Sequence, residues 1–487
     1  MIGRALVALL AAIVLAAPSR ADELTPVPAV VHLHSDLSTG RYTIEELAEM
    51  AEREGIGALL LSENYLNRVE YGLPPFRALT RVRQDSPSVH DRLGDYLERV
   101  SQARAARSGV LLLPGVEVMP HYQWSGSPLT LELLVSNTQK NLLVWGITDR
   151  ATLAALPVIG NGDGGEYSLQ SLLDALPILL LAPGVVLLLV KRRRRQRVGA
   201  AVMVVRERRW IGGLACCAIA VLALVRGWPF TNAAFSAYAD HGVAPHQAVI
   251  DFVERHGGVA VWSFPEARDL GTESVGPVRV TWSTEPYPDD LLRTSRYTAF
   301  GAVYEDTTRV ERPGGAWDRM LQQYAAGERS RPAWGLGESG FHDSNAGKRL
   351  ARVQTVFLVR ERSEAGVLDA FRQGRLYARH RSSQTALALS DFVLSGGEGR
   401  AVSGETIRPP LGALLSLSVG VDAEGTAAAD LKVVLLKNGE VADAWTGGTP
   451  FRATYRETWD GRPAVFRLEA RGGAGRLLSS PIFVRRS

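Results

Sequence analysis

Apolar and polar positions change rhythm several times along the chain. Arg4 is followed by an apolar run over residues 5–17 and then by Ser19-Arg20-Ala21. This predicts a secretory signal over residues 1–21, with an uncleaved N-terminal anchor as the alternative. Either one exports the chain from Asp22 onward. Short apolar runs at residues 29–33, 58–61, 110–113 and 142–145 then alternate with helical periodicity near 43–54 and 96–106. Strands alternating with helices predict a parallel sheet or barrel. The pattern resumes with a helix near 245–256, strands at 259–262 and 298–304, a helix near 317–326, strands at 333–336 and 354–359, and a helix near 364–373.

Two runs of another kind separate these halves. Residues 172–190 are almost wholly apolar and long enough to cover a hydrocarbon core as a helix. A second, shorter run at 210–228 has Trp210 and Trp228 placed for the two interfaces. The basic loop between them, residues 191–209, contains Lys191-Arg192-Arg193-Arg194-Arg195 and Arg206-Glu207-Arg208-Arg209. An excess of Lys and Arg at span ends predicts that this loop is cytoplasmic and that the outer flanks face outward. A buried hairpin with a basic patch for nucleic acid or lipid headgroups is the alternative, disfavoured because the charges coincide with the span ends. The organisation expected is therefore a first barrel half at 26–150, a linker at 151–171 with a flexible glycine-rich stretch, the hairpin, and a second barrel half at 229–382. From 383 to 487 the alternating strands and Gly-rich turns predict a β-sandwich.

Composition narrows the partners. The chain has 55 basic and 51 acidic residues, so the basic character is local and nucleic acid is not expected as a partner. Cys216 and Cys217 are adjacent within an apolar run, which leaves no disulfide framework. The bilayer is the one partner the pattern itself names.

Candidate chemistry centres on His32-Leu33-His34 at the end of the first predicted strand, where strand alternation turns both imidazoles the same way. Glu63, Glu117 and His342 also sit at predicted strand ends, which form one face in a parallel barrel. Two imidazoles and a carboxylate with an open position suit catalytic zinc. His121, Tyr122 and Trp124 follow Glu117 and are read either as lining a substrate pocket or as ordinary loop packing.

These residues resemble the PHP (polymerase and histidinol phosphatase) family, in its exported branch with a C-terminal β-domain. The resemblance is carried by His32-Leu33-His34-Ser35-Asp36, Glu45-Glu46-Leu47, Pro114-Gly115-Val116-Glu117, Gly257-Gly258-Val259-Ala260-Val261-Trp262-Ser263-Phe264-Pro265 and the stretch 335–342. It implies an α/β fold, a distorted (β/α)7 barrel here interrupted by a transmembrane hairpin, binding up to three divalent ions that activate hydroxide against a phosphate ester. His32, His34, Glu117 and His342 match family ligands, and Glu63 keeps a carboxylate in longer form. Asn64, Asn141, Phe264 and Gly340 stand where the family has further ligands. Glu338 and Asp343 are the nearby carboxylates available to compensate.

An amide oxygen is a poor substitute for imidazole on a transition metal. The expectation is thus one ion of Zn, Mn or Fe rather than three, or none. The protein is expected in a membrane, as in the bacterial inner membrane, with its bulk periplasmic or exterior. It resembles metal-dependent phosphoesterases with a partly degraded site. The competing reading is a non-catalytic binding or scaffold protein for a glycan, phosphate, lipid or protein ligand.

Overall fold

Helix formation after the first strand follows directly from sequence. Thr43 accepts from the Glu46 N–H while the Glu46 side chain accepts from the Thr43 N–H, a capping box that starts the helix Ile44–Arg53. Ile44, Leu47, Ala48 and Ala51 form its buried stripe. The computed structural model describes residues 24–486 apart from 163–164, 200, 306–307, 346, 383–384, 426–429 and 474. The signal expected at 1–21 lies outside the described residues.

Strand β1 (Thr25–Leu33) pairs in parallel with β2 (Ala58–Leu61), which pairs in parallel with Leu111–Leu113. The chain then continues into a second ladder, where Glu63–Asn64 runs parallel to β3 (Gly115–Val118). Next come β4 (Leu142–Trp145), β5 (Val259–Trp262), β6 (Ala299–Val303) and β7 (Trp334–Gly337). Beyond β7, Ser339 N–H donates to Val31 O at 2.9 Å, Phe341 N–H to His32 O at 3.1 Å, and His34 N–H to Phe341 O at 3.0 Å. Backbone hydrogen bonding therefore returns to β1. These strands are buried on both faces, which is why they read as unbroken apolar runs.

Two strands depart from the parallel expectation: Val353–Val359 is antiparallel to β1, and β4 is the other. β4 is antiparallel to both β3 and β5. Between β3 and β4 the chain forms a ribbon, Gln123–Ser127 with Glu132–Ser136, and no α-helix. A parallel return needs a crossover, and a ribbon cannot provide it.

Two helices, Leu169–Leu189 and Trp210–Gly227, are long and apolar enough to cross a membrane. Only 17% of each apolar window is buried, so neither is a core helix of the globular part. A Cβ at Gly184 would lie 2.7 Å from Cys217 Sγ, and one at Gly213 2.7 Å from Leu188 Cγ; these glycines let the pair approach closely. The hairpin interrupts the chain between β4 and β5, whose residues pair directly from Leu142 with Trp262 to Trp145 with Val259.

Two sequence readings need correction here. The basic stretch is a two-stranded ribbon, Arg192–Val198 with Ala201–Glu207, because Val202-Met203-Val204 and its neighbours favour strand over loop. The supposed linker 151–171 is anchored: Leu153, Leu156 and Val158 are in the core, and Asn161 Nδ2 donates to Leu156 O at 2.8 Å.

The C-terminal part is two antiparallel layers. Ala386–Gly396, Leu414–Glu424 and Phe451–Thr458 form one. Asp430–Lys437, Ala464–Gly472 and Gly475–Ser479 form the other. Leu394, Leu417, Val433 and Leu468 fill the space between them. Hydrogen bonding crosses the expected boundary at 383, since Leu376–Arg381 pairs with Gly475–Ser479 on one side and Val353–Val359 on the other.

A buried ion pair locks the two parts together. Arg467, 1% exposed, grips Asp318 of the helix Ala316–Ala326 with contacts of 2.6 and 2.7 Å. Removing Asp318 leaves the buried guanidinium with Glu469, 2.9 Å from Arg467 Nη1, as its remaining ion-pair partner among the described residues. Asp318→Ala is expected to cost about 1–3 kcal/mol, with much of it recovered in Asp318→Leu/Arg467→Met, read as the thermal midpoint of the purified full-length chain.

Candidate metal centre

His32 and His34 converge, but not by simple strand alternation. His32 has φ 67°, and the β1–β2 register shifts between Val31 and Leu33. A bulge of this kind re-aims a side chain. The result is a separation of 3.1 Å between the two Nε2 atoms. Glu117, from β3, brings Oε1 to 3.6 Å from His32 Nε2 and Oε2 to 3.5 Å from His34 Nε2.

The outer nitrogens of both rings are engaged elsewhere. His32 Nδ1 lies 2.7 Å from Glu338 Oε1, and His34 Nδ1 lies 3.4 Å from Ser38 Oγ. Glu338 is itself fixed, accepting from Ser263 Oγ at 2.6 Å and from the Phe264 N–H at 3.0 Å. This support leaves each Nε2 directed toward Glu117, the arrangement by which outer hydrogen bonds orient metal-binding imidazoles. Glu117 Oε1 also accepts from Asn141 Nδ2 at 2.9 Å. Asn141 Oδ1 is buried and has no hydrogen-bond partner among the described residues.

His32, His34 and Glu117 form a group that could hold a metal ion, each offering one atom within 4.8 Å of the others. Two nitrogens bound tetrahedrally to one ion at about 2.0 Å stand roughly 3.3 Å apart, close to the spacing seen. The donor set therefore fits a divalent cation.

Electrostatics match this fit. Burial opposes a charge on His32, yet Glu117 and Glu338 outweigh it and raise its pKa to about 9. Burial also acts against Glu117, but His32, His34 and Asn141 bring it down to about 2. Burial, with His32 and His342 nearby, keeps His34 well below the usual imidazole range despite Glu117. The metal-free group is thus an imidazolium–carboxylate pair beside a neutral imidazole.

The other expected residues fall in different places. Buried Glu63 accepts from the Ser35 N–H at 2.9 Å and from the Ser38 hydroxyl, so it shapes the loop under His34. Burial raises its pKa. His342 stacks on His34 with centroids 4.2 Å apart, and its Nδ1 lies 3.0 Å from Thr39 Oγ1. Asn64 Nδ2 donates to the same Thr39 oxygen at 2.9 Å. Asp343 accepts from the Asn345 N–H within its own turn.

Phe264 and Gly340 meet each other. A Cβ at Gly340 would lie 2.8 Å from Phe264 Cζ, and the Phe264 ring centroid is 5.1 Å from that of His32. An aromatic ring thus fills the space beside His32 that a side chain at 340 would enter.

A cavity of about 240 Å³ opens over this group. Asn64, Asn67, Gln139 and Asn141 line it together with His32, Glu117 and His342. No Lys or Arg is among the described lining residues. His121, Tyr122 and Trp124 do not line it either, although Tyr122 lines a second cavity. His121 Nε2 lies 3.1 Å from Ser236 O, and Trp124 Nε1 donates to Glu70 O at 2.7 Å. Tyr122 and Trp124 belong to a separate apolar cluster formed around the ribbon after β3.

Among solved structures similar to this chain is a two-domain protein from Bacteroides vulgatus containing a predicted PHP-like metal-dependent phosphoesterase. It is 14% identical, with 94% of this chain and 96% of that chain covered and a TM-score of 0.37. Another, described as a metal-dependent phosphoesterase from Bifidobacterium adolescentis, is 12% identical, with 66% and 90% covered and a TM-score of 0.27. No family model matches the chain, and no curated protein matches it.

A pH dependence follows from His32. Its raised pKa contributes stability to the metal-free protein that is complete below the unfolded value of 6.5 and lost as pH rises through about 9. A cation must displace the same proton, so its affinity is expected to rise about tenfold per pH unit up to roughly pH 9 and then level off. Calorimetry in buffers of different ionisation enthalpy should show about one proton released per ion near pH 7; a pH-independent affinity would contradict this.

Proposed function

We propose that this chain is a membrane-anchored, extracytoplasmic protein whose PHP-type barrel binds one divalent ion at His32, His34 and Glu117, as a reduced relative of the metal-dependent phosphoesterases. The observation that carries the reading is the orientation of the two Nε2 atoms toward Glu117, with both outer nitrogens held by Glu338 and Ser38. A bound cation would polarise a phosphoryl oxygen and make its water a nucleophile near neutral pH. Glu338 keeps the His32 ring in place, and the Asn141 carboxamide keeps the Glu117 carboxylate in place.

The count of one ion is supported by Phe264. Its ring packs against His32 and against the backbone of Gly340, so the flank where the resemblance implies further ligands is filled by hydrocarbon. The membrane part of the proposal rests on the two apolar helices and on the Arg-rich ribbon joining them, which the distribution of positive charge assigns to the cytoplasm. The barrel and the β-sandwich then share the outer face.

A second reading, a binding protein without turnover, is favoured by the cavity lining. Four carboxamides, with no Lys or Arg among the described lining residues and the His32 charge matched by Glu117, suit a neutral ligand rich in hydroxyl or amide groups, such as a glycan, better than a phosphate. A phosphate would depend on the metal for its counter-charge.

Purified full-length protein should carry close to one Zn, Mn or Fe per chain and cleave a general phosphodiester with a rate lost in His32→Ala. Metal without such a rate, together with glycan binding, would select the second reading; absence of metal would sink the first. Glu338→Gln should weaken the metal by about 10–100-fold. Gly340→Asp alone should destabilise, because its Cβ meets the Phe264 ring, whereas Phe264→His/Gly340→Asp should raise the ion count above that of the parent.

A further inference from the structure

A second cavity, of about 620 Å³, lies where the two apolar helices join the globular part, at the end remote from the Arg-rich ribbon. Five arginines line it: Arg68, Arg77, Arg81, Arg83 and Arg226. Among the described residues the lining carboxylates are Glu70 and Asp174. Asp174 is already committed, its Oδ1 accepting from the Ala78 N–H at 2.9 Å and from Gln170 Nε2 at 3.2 Å. Arg68 and Arg83 share one further carboxylate, Asp85, at 2.7 and 2.6 Å, and Arg81 reaches Glu70 at 3.4 Å. Arg77 lies over the Tyr238 ring, 3.4 Å from its centroid, and donates to Gly72 O. Arg226 donates to the backbone carbonyls of Leu79 and Arg81. Positive charge is therefore in excess, and neither Arg77 nor Arg226 forms an ion pair among the described residues.

The rest of the wall is of a different character. Trp228 and Leu169, at the ends of the two apolar helices, are 74% and 73% exposed and line the same cavity. Tryptophan at the end of an apolar helix marks the headgroup level of a bilayer. Guanidinium forks match the oxygens of a phosphate, and Arg is the side chain suited to that contact.

We propose that this cavity holds the phosphate of an anionic lipid headgroup, through Arg77 and Arg226 with Arg81 and Arg83 at its side. This rests on the two helices spanning the membrane, and it is separate from any turnover at His32. The cavity neighbours the metal pocket along the chain: Leu66 and Asn67 line the one, and Arg68 lines the other.

The test uses the full chain in nanodiscs of phosphatidylcholine with increasing phosphatidylglycerol. A saturable rise in the thermal midpoint with phosphatidylglycerol is expected, and Arg77→Gln/Arg226→Gln should need about tenfold more lipid for the same rise. If that variant is already unstable in phosphatidylcholine, Arg83→Gln, at the exposed rim, serves in its place and should also shift the titration. An unshifted titration in both variants overturns the proposal. An equal rise with inorganic phosphate in pure phosphatidylcholine discs assigns the cavity to a free anion and overturns the lipid. Release of the parent from membranes by carbonate would instead refute the spanning helices.

Discussion

The contact between His32 and the 338–341 segment is the constraint on which the rest of the structure turns. His32 O accepts from the Phe341 N–H, and His32 Nδ1 is held by Glu338, 306 residues away in sequence. The backbone bond returns the strand path to its start, and the side-chain bond fixes the ring that faces Glu117. One residue thus serves both the backbone contact that returns the strand path to β1 and the candidate metal centre. Its left-handed φ, unusual outside glycine, is what lets it do both, since a regular extended residue would keep the strand in register with β2.

That dependence explains how the insertion of two apolar helices is accommodated. β4 and β5 are adjacent and antiparallel, so the chain leaves at Trp145 and re-enters opposite it at Val259. An insertion whose ends already lie side by side adds little closure entropy however long it is. The cost falls on folding order: the seam and the His32–Glu338 bond cannot form until residues beyond both apolar helices have arrived on the same face as β1.

Much of this was legible in the sequence where one local signal decided the outcome. The strands 58–61, 142–145 and 259–262 fall where the apolar runs placed them, and the helix after Thr43 starts at its capping box. The apolar helices and the grouping of His32, His34 and Glu117 were legible for the same reason. What was hidden depends on partners distant in sequence. The inversion of β4 is set by the absence of a crossover helix, and the sheet that crosses residue 383 is set by pairing with Gly475–Ser479. Glu338 could be named only as a nearby carboxylate, because its role comes from a bond across the barrel. Tyr122 and Trp124 lie close to Glu117 in sequence, but the ribbon after β3 carries them away from it.

Charge is distributed unequally between the two cavities. Over His32 the polar lining is carboxamide, hydroxyl and imidazole, with Glu117 balanced by His32 and no Arg or Lys among the described lining residues. At the foot of the apolar helices the lining is guanidinium and indole. A phosphate entering the first cavity would lose its hydration and meet a His32 charge already matched by Glu117, a large penalty unless a metal is present. In the second the counter-charge is already in place. On these terms the cavity at the foot of the apolar helices is the better suited of the two to an anion. The His32 pocket, reached past Leu66 and Asn67, is left to select the neutral part of a ligand or to act through its ion, and metal removal should therefore affect the two cavities independently.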